Sequence, residues 1–331
     1  MDVTILDLSN KFLTTLPVLP ITLKELYCEE NQLTTLPVLP RTLKELHCGG
    51  NQLTAISALP SMLTDLWCHN NQLTTLSVLP RTLTYLDCQC NQLTTLPVLP
   101  STLKELHCAN NQLTTLPVLP STLVELNCDE NQLTTLPVLP STLTELHCSK
   151  NHLTILPVIP STLTYLDCSE NQLTTLPVLP STLTILCCEE NQLTTLLVLP
   201  STLIGLYCQN NQLTKLPKLP STLKDLCCFD NQLTTLPKLP STLTHFHCEN
   251  NPLIWCDAIK DAERAGLNKY KVAKIHRIIC KHYARNAAAP IIQRNCESWL
   301  DKPITNDGKM GIRVRVGMKV IGHDVGLFPP Q

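Results

Sequence analysis

Cysteine is the residue whose number and spacing first suggest chemistry in this chain of 331 residues. Twelve of its 18 cysteines recur every 20 residues, from Cys28 to Cys248. Side chains at equivalent positions of neighbouring strands lie about 4.8 Å apart, and so regular an array favours no selective disulfide pairing. A row of metal sites is not expected either, because each cysteine should face a dry leucine core. We therefore predict reduced, buried thiols that act as small apolar side chains in a reducing compartment.

A second group of candidate ligands lies late in the chain and consists of Cys227, His245, His247 and Glu249. These residue types bind zinc, but their spacing matches no compact zinc motif, so we predict no metal site there. Signals of catalysis are also weak: there is no glycine-rich phosphate-binding loop, and serine recurs as STL where turns are expected. The sequence therefore predicts a protein that is not an enzyme and needs no cofactor.

The element that must position these side chains is a 20-residue repeat, which runs from about residue 1 to residue 256. In residues 21–40, ITLKELYCEENQLTTLPVLP, polar and apolar residues alternate over residues 25–29, which predicts a strand with Leu26 facing inward. The LPVLP segment is predicted to be extended, as in polyproline II, because proline is excluded from helix interiors. One repeat cannot bury its apolar residues alone, so we expect the repeats to stack.

Asparagine occupies one position of the repeat twelve times. Its side-chain amide carries two donors and an acceptor, and it can satisfy the backbone of its own turn and of the next one. Leucine at this position would leave those backbone groups unpaired. We predict a structural ladder formed by Asn31, Asn51, Asn71, Asn91, Asn111, Asn131, Asn151, Asn171, Asn191, Asn211, Asn231 and Asn251.

The full pattern, L-x-x-L-x-C-x-x-N-x-L-T-x-L-P-x-L-P, resembles the short 20-residue leucine-rich repeat of bacterial secreted effectors, and similar arrays occur in large DNA viruses. The resemblance implies a β-rich repeat solenoid of about 13 repeats over residues 1–256, with a parallel sheet on its concave side and extended segments on its convex side. Cysteine replaces the third core leucine of the commoner pattern. Several such effectors carry a ubiquitin-ligase domain after the repeats, but only about 75 residues follow here, and Cys256 falls at a core position.

Residues 257–331 are predicted to form a basic, helical C-terminal cap or tail. Residues 251–331 carry a formal charge of +7, against −9 for residues 1–250. We expect the helix to close the end of the solenoid. The alternative is an activity in the tail: a contact with an anionic membrane, nucleic acid or calmodulin-like partner, or a minimal ligase. The apolar residues at helical spacing are Val272, Ile275, Ile279 and Tyr283.

Variation within the repeat concentrates on the predicted outward positions of the strand. We name each repeat position after its residue in repeat 21–40, so that Glu45 belongs to the Glu25 column. From residue 25 onward, the Glu25, Tyr27, Glu29 and Glu30 columns hold eighteen of the 27 acidic residues and a single lysine. Aromatic and apolar residues interrupt the acid in an early patch (His47, Trp67, His69, Tyr85) and a late patch (Ile185, Cys187, Tyr207, Cys227, Phe229).

Aromatic residues rimmed by carboxylates suit a protein partner with a basic or mixed surface, whereas the phosphates of nucleic acid would be repelled. The plainer alternative is that acidic residues only keep the sheet soluble. We predict a protein-binding concave face on a monomer. The residues predicted to carry it are Glu45, Trp67, Tyr85, Glu105, Glu125, Glu145, Tyr165, Tyr207 and Phe229.

The sequence also bears on where the protein acts. Its first residues do not resemble a signal peptide, and no window of about 18 apolar residues predicts a transmembrane helix. Together with the reduced cysteines, this predicts a cytoplasmic protein, placed in a host cell if the chain is a viral or secreted effector.

Overall fold

The computed structural model describes residues 3–56 and 58–253. Within this part of the chain, thirteen parallel strands form one sheet whose strand order follows the sequence. Each residue pairs with the residue 20 positions later, as Leu26 does with Leu46. The strands are β1 (Ile5–Asp7), β2 (Glu25–Tyr27), β3 (Glu45–His47), β4 (Asp65–Trp67), β5 (Tyr85–Asp87), β6 (Glu105–His107), β7 (Glu125–Asn127), β8 (Glu145–His147), β9 (Tyr165–Asp167), β10 (Ile185–Cys187), β11 (Gly205–Tyr207), β12 (Asp225–Cys227) and β13 (His245–His247).

The strands have three residues each, and the prediction of a five-residue strand was wrong at its C-terminal end. The chain leaves the sheet because the Glu30 column adopts the left-handed conformation, with φ between 49° and 62°. Asparagine, aspartate and glycine tolerate this region best, and the column is rich in them. It also holds Glu30, Cys90, Glu130, Lys150, Glu170 and Glu190.

The core is a stack of four fully buried columns. In repeat 21–40, Leu23, Leu26, Cys28 and Leu33 have no solvent exposure, and the same holds for their equivalents through most of the array. The leucines of the LPxLP segments close the core opposite the sheet. At the N-terminal end, Leu6 is only partly buried, because no repeat precedes it among the described residues.

The predicted fold class, a leucine-rich-repeat-like solenoid built on one parallel sheet, is confirmed. The predicted tail of residues 257–331, the boundary at residue 256 and Cys256 lie outside the described residues and stay predictions. Among the residues that the structure describes, none belongs to a helix long and apolar enough to cross a membrane.

Candidate partner-binding face

Each asparagine of the ladder joins two successive repeats. In Asn51, Nδ2 donates to the carbonyl oxygens of Cys28 (2.9 Å), Cys48 (3.1 Å) and Gly49 (3.1 Å), and Oδ1 accepts from the Leu33 amide (3.0 Å). The asparagine therefore satisfies its own turn and the preceding repeat, and the prediction that it satisfies the next one was wrong. The twelve asparagines are 2–8% exposed. They fix the turn after each strand and thereby the spacing of the side chains on the sheet.

Threonine forms a second cross-repeat ladder, which sequence reasoning missed. Thr122 Oγ1, in an STL turn, lies 2.9 Å from the carbonyl oxygen of Ser101 and 2.7 Å from that of Leu103. The same contact recurs in most repeats, but Met62 replaces the threonine in one of them. The constancy of this threonine is the available signal, but from the sequence we interpret only the serine of STL, as a turn residue.

The outward side of strands β2–β13 is called the sheet face, and it corresponds to the predicted concave face. Its early part carries one continuous stack of five rings, which we call the aromatic stack. Successive ring centroids lie 4.4, 5.1, 4.2 and 5.4 Å apart. Each ring covers its neighbours, so all five side chains are half-buried. The stack consists of Tyr27, His47, Trp67, Tyr85 and His107.

Two members of the aromatic stack, Tyr27 and His107, were not included in the early patch predicted from sequence. Both lie in the Tyr27 column together with His47 and Trp67, which was the available signal. Tyr85 belongs to the Glu25 column and nevertheless completes the stack between Trp67 and His107. Tyr27, His47 and Trp67 lie directly opposite one another in register. Tyr85 instead meets Trp67 and His107 diagonally across strands, as long aromatic side chains can in sheets.

His69, the remaining member of the early patch, lies beside the stack rather than in it. Its Nδ1 is 3.1 Å from Asp87 Oδ2, but it lacks a partner with regular hydrogen-bond angles, so the attraction is mainly that of an ion pair. Contact with the Asp87 carboxylate raises the pKa of His69, and burial opposes this rise. Burial alone would raise the pKa of Asp87, but contacts with His69 and Gln89 lower it. A Cβ atom on Gly49 would lie 2.6 Å from the His69 ring, so glycine makes room for it.

The predicted acidic residues lie along the sheet, where their nearest charged partners are histidines. Glu45 lies 3.8 Å from His47, and Glu105 and Glu125 flank His107 at 3.9 and 3.8 Å. Glu145 lies 3.9 Å from His147. Within the described residues, the ion pair of the sheet face that involves lysine or arginine joins Lys150 to Glu130 at 2.7 Å. The face therefore keeps most of its negative charge.

The late patch is not one assembly. Its rings, Tyr207 and Phe229, make no ring–ring contact within the described residues, whereas Tyr165, which lies outside the patch, stacks on His147 with ring centroids 4.6 Å apart. Tyr207 lies over Gly205, where a Cβ atom would approach its ring to 3.1 Å. Burial, more than neighbouring acids, raises the pKa of Cys187 to about 12, so this half-buried thiol is less reactive than an outward position suggests.

Burial also raises the pKa of Glu189 to about 7, and Asp167 and Glu190 add to the rise. Its Oε2 atom is buried without a hydrogen-bond partner. Glu189 is thus an acidic residue of the sheet face that is only partly ionised near neutral pH.

The four late residues considered as zinc ligands do not form one group among the described residues. His245 contacts Asp225, and His247 Nδ1 lies 3.6 Å from Glu249. Among the described residues, the groups whose ligand atoms converge lie instead on β6–β9 and the turns that follow.

The cysteine column is inside the core. Each of its twelve members has no solvent exposure, and Cys28 through Cys228 are free thiols. Burial raises the pKa of Cys28 to about 12 and that of Cys48 further. These cysteines pack as apolar side chains and are poor nucleophiles or metal ligands.

Neither a protein-family model nor a curated protein sequence matches the chain. Solved structures do match. YopM from Yersinia enterocolitica WA-314 is 36% identical with a TM-score of 0.67, and the match covers 73% of this chain and 58% of that chain. A structure described as a leucine-rich effector protein, YopM from Yersinia pestis, is 35% identical with a TM-score of 0.61. The match covers 76% of this chain and 84% of that chain.

A third solved structure is the functional domain of InlJ from Listeria monocytogenes, which is described as including a cysteine ladder. It is 30% identical with a TM-score of 0.69, and the match covers 78% of this chain and 66% of that chain. The chain therefore spans less than two thirds of the Yersinia enterocolitica protein and of the InlJ domain. The 20-residue period, the parallel sheet and these likenesses agree: the chain belongs to the leucine-rich repeat family, in the type represented by bacterial effectors.

Proposed function

We propose that this chain is a non-enzymatic scaffold that binds a protein through its sheet face. Leucine-rich repeat proteins of this fold, effectors and receptors among them, support a role in protein interaction generally. The observation that carries the proposal for the sheet face is the aromatic stack, five rings set among carboxylates that few cations neutralise.

The stack suits an interface because its rings are already ordered. Binding costs free energy when flexible side chains are immobilised, and Trp67 is held between His47 and Tyr85 before any partner arrives. Large aromatic surfaces also supply much of the affinity at protein interfaces. We therefore assign most of the binding energy to Trp67 and Tyr85.

The carboxylates determine which surfaces are attracted. A basic protein surface gains from long-range attraction to the Glu25 column, which speeds encounter and sets orientation. Nucleic acid carries phosphates that the same carboxylates repel. The proposed partner is a protein with a basic, partly apolar surface, bound by a monomer of this chain.

We further propose that the chain acts in the cytoplasm of a host cell. YopM from Yersinia pestis is described as an effector protein, and buried free thiols suit a reducing compartment. The alternative derived from the sequence, an activity of the basic tail, rests on residues 257–331 and stays a prediction.

The test compares proteins captured from host-cell lysate by wild type and by a variant carrying Trp67→Ala and Tyr85→Ala. The matched control carries Val118→Thr and Val138→Thr on the opposite side of the solenoid, where both valines are 86% exposed. We expect a partner that binds wild type and the control but is lost with the stack variant. Retention of every captured protein by the stack variant would contradict the proposal.

A further inference from the structure

His147 lies among carboxylates from three successive repeats near the middle of the sheet face. One ligand atom from each of Asp129, His147 and Asp167 lies within 4.8 Å of the other two. His147 also belongs to a second such group with Glu125 and Glu145. One imidazole is therefore placed between two pairs of carboxylates.

The two aspartates are held in position by groups outside the cluster. Asp129 Oδ1 accepts a hydrogen bond from the Ser149 amide at 2.6 Å. Asp167 Oδ1 accepts from the amide and the hydroxyl of Ser169 at 3.0 and 2.7 Å. In both residues this arrangement leaves Oδ2 available, and hydrogen bonds of this kind orient ligands in metal sites.

The imidazole is restrained as well. His147 stacks on Tyr165 with the rings inclined by 28°, and its side chain is 23% exposed. One face of the imidazole and both aspartates are thus supported by neighbouring groups of the solenoid.

The cluster has an excess of negative charge. Four carboxylates surround one imidazole, and among the described residues none of them lies within ion-pair distance of a lysine or arginine. Like charges so close together repel one another in a half-buried place, and a bound cation would remove this repulsion.

We infer that Asp129, His147 and Asp167 bind one divalent transition-metal ion of the Zn²⁺ type, with water completing the coordination shell. Imidazole nitrogen with two carboxylate oxygens is a donor set that zinc accepts, whereas Mg²⁺ and Ca²⁺ prefer oxygen alone. Ligands about 2.1 Å from one ion lie about 3.4 Å apart, so the ligand atoms must approach one another by at most about 1.4 Å on binding.

The neighbouring cluster of Glu105, His107 and Glu125 is less suited to this role. The side chains of Glu105 and Glu125 are 44% and 31% exposed, and glutamate has one more rotatable bond to immobilise. No hydrogen bond from a serine amide fixes their carboxylates among the described contacts. This cluster therefore provides the internal comparison for the Asp129 site.

The test is calorimetric titration of the full chain with Zn²⁺ alone, so it does not depend on the proposed protein partner. We expect one site in wild type that is weakened about 100-fold or more by His147→Phe and by Asp129→Asn. His47→Phe is the matched control, because His47 also stacks on aromatic neighbours and lies 3.6 and 3.8 Å from two glutamates. It should bind Zn²⁺ within about twofold of wild type, as should His107→Phe.

Co²⁺ absorption separates this site from the cysteines, since thiolate ligands add a strong near-ultraviolet charge-transfer band that nitrogen and oxygen ligands lack. Phenylalanine preserves the stacking of His147, and asparagine preserves the hydrogen bond at Asp129, so both variants should melt like the wild type without metal. The inference is overturned by no Zn²⁺ binding to wild type, by unchanged binding in His147→Phe, by equal loss in His107→Phe, or by a thiolate band with Co²⁺.

Discussion

The sheet face and the opposite side of the solenoid are built from the same turns but differ in how much they vary. The LPxLP segments expose nearly the same residue in repeat after repeat, and we call these residues the valine row. On the sheet face, by contrast, the Glu25 column alone contains Glu, Asp, Tyr, Ile, Gly and His. The valine row consists of Val18, Val38, Val78, Val98, Val118, Val138, Val158, Val178 and Val198, which are 79–96% exposed.

Because the side chains of both sides lie outside the buried core, we relate the difference in their variation to function rather than to folding. Neither side contributes the fully buried residues, which lie between them in the Leu23, Leu26, Cys28 and Leu33 columns. Valine suits an extended segment because its branched side chain has few rotamers and favours extended backbone. Folding does not fix the residue types of the sheet face, so these residues are free to vary. A surface that fits one irregular partner needs this freedom. The predictions below break or sharpen this contrast, beginning with the ladder on which both sides depend.

The largest effect is expected for Asn131→Ala. Asn131 Nδ2 donates to the carbonyl oxygens of Cys108, Cys128 and Asp129, and Oδ1 accepts from the Leu113 amide. Removing the amide leaves these buried groups unpaired and should lower the free energy of unfolding by about 3 kcal/mol. Chemical denaturation measures this change in the free energy of unfolding. Gln132→Ala, on an exposed neighbour, is the control and should change stability by less than about 0.5 kcal/mol.

An Asn131→Ala variant as stable as the Gln132→Ala control would show that the asparagine does not support the turn. The shared dependence of both sides on the ladder would then be wrong.

The asparagine ladder was predictable because asparagine recurs at one position of the repeat. A side chain that recurs every 20 residues beside leucines at fixed spacing must serve the backbone, and Asn31 does so in the structure as in the prediction. The stack was only partly predictable. Whether Tyr85 contacts Trp67 depends on the directions of side chains in two different columns. The 20-residue period does not give these directions. The left-handed Glu30 column was missed because its residue types vary while its backbone does not.

The second prediction concerns the aromatic stack and the partner captured in the lysate test. Trp67→Ala should weaken binding by about 2 kcal/mol, seen mainly as faster dissociation, because the loss falls on contacts made after encounter. Surface plasmon resonance measures both rates. The Val118→Thr and Val138→Thr control should leave both rates unchanged, and an equal effect of the two variants would contradict the assignment of binding to the sheet face.

The third prediction separates charge from contact. Glu105→Lys with Glu125→Lys reverses two carboxylates beside His107 and should slow association about tenfold at low salt. The effect should shrink as salt rises, since exposed charges are screened. The measurement is made with a chelator present, so that metal binding does not contribute. A slower rate that is independent of salt would point to a structural defect instead.

The fourth prediction is a pH dependence of stability from the His69–Asp87 pair. The raised pKa of His69 gives a contribution that is complete below its unfolded pKa of about 6.5 and lost as pH rises through the folded value. The lowered pKa of Asp87 gives one present above about 3.9 and lost as pH falls through its folded value. The pair should therefore stabilise most between about pH 4 and 6.5, by less than about 1 kcal/mol.

Denaturation of wild type and His69→Gln across pH 4 to 8 measures this contribution. The difference in stability between the two proteins should fall from pH 6 to pH 8. A difference that stays constant over this range would mean that His69 does not gain its charge from Asp87.

The smallest effect is expected on the valine row, where the comparison can be broken most directly. Val98→Thr, Val118→Thr and Val138→Thr together replace three methyl groups by hydroxyls at positions that are 86% exposed. Threonine keeps the branched shape, so the free energy of unfolding should change by less than about 0.5 kcal/mol, and partner binding should not change. Chemical denaturation and the binding rates of the captured partner measure the two. A loss of binding with unchanged stability would show that the valine row is an interface. The valines would then be constant because they contact a partner, and not because nothing requires them to differ.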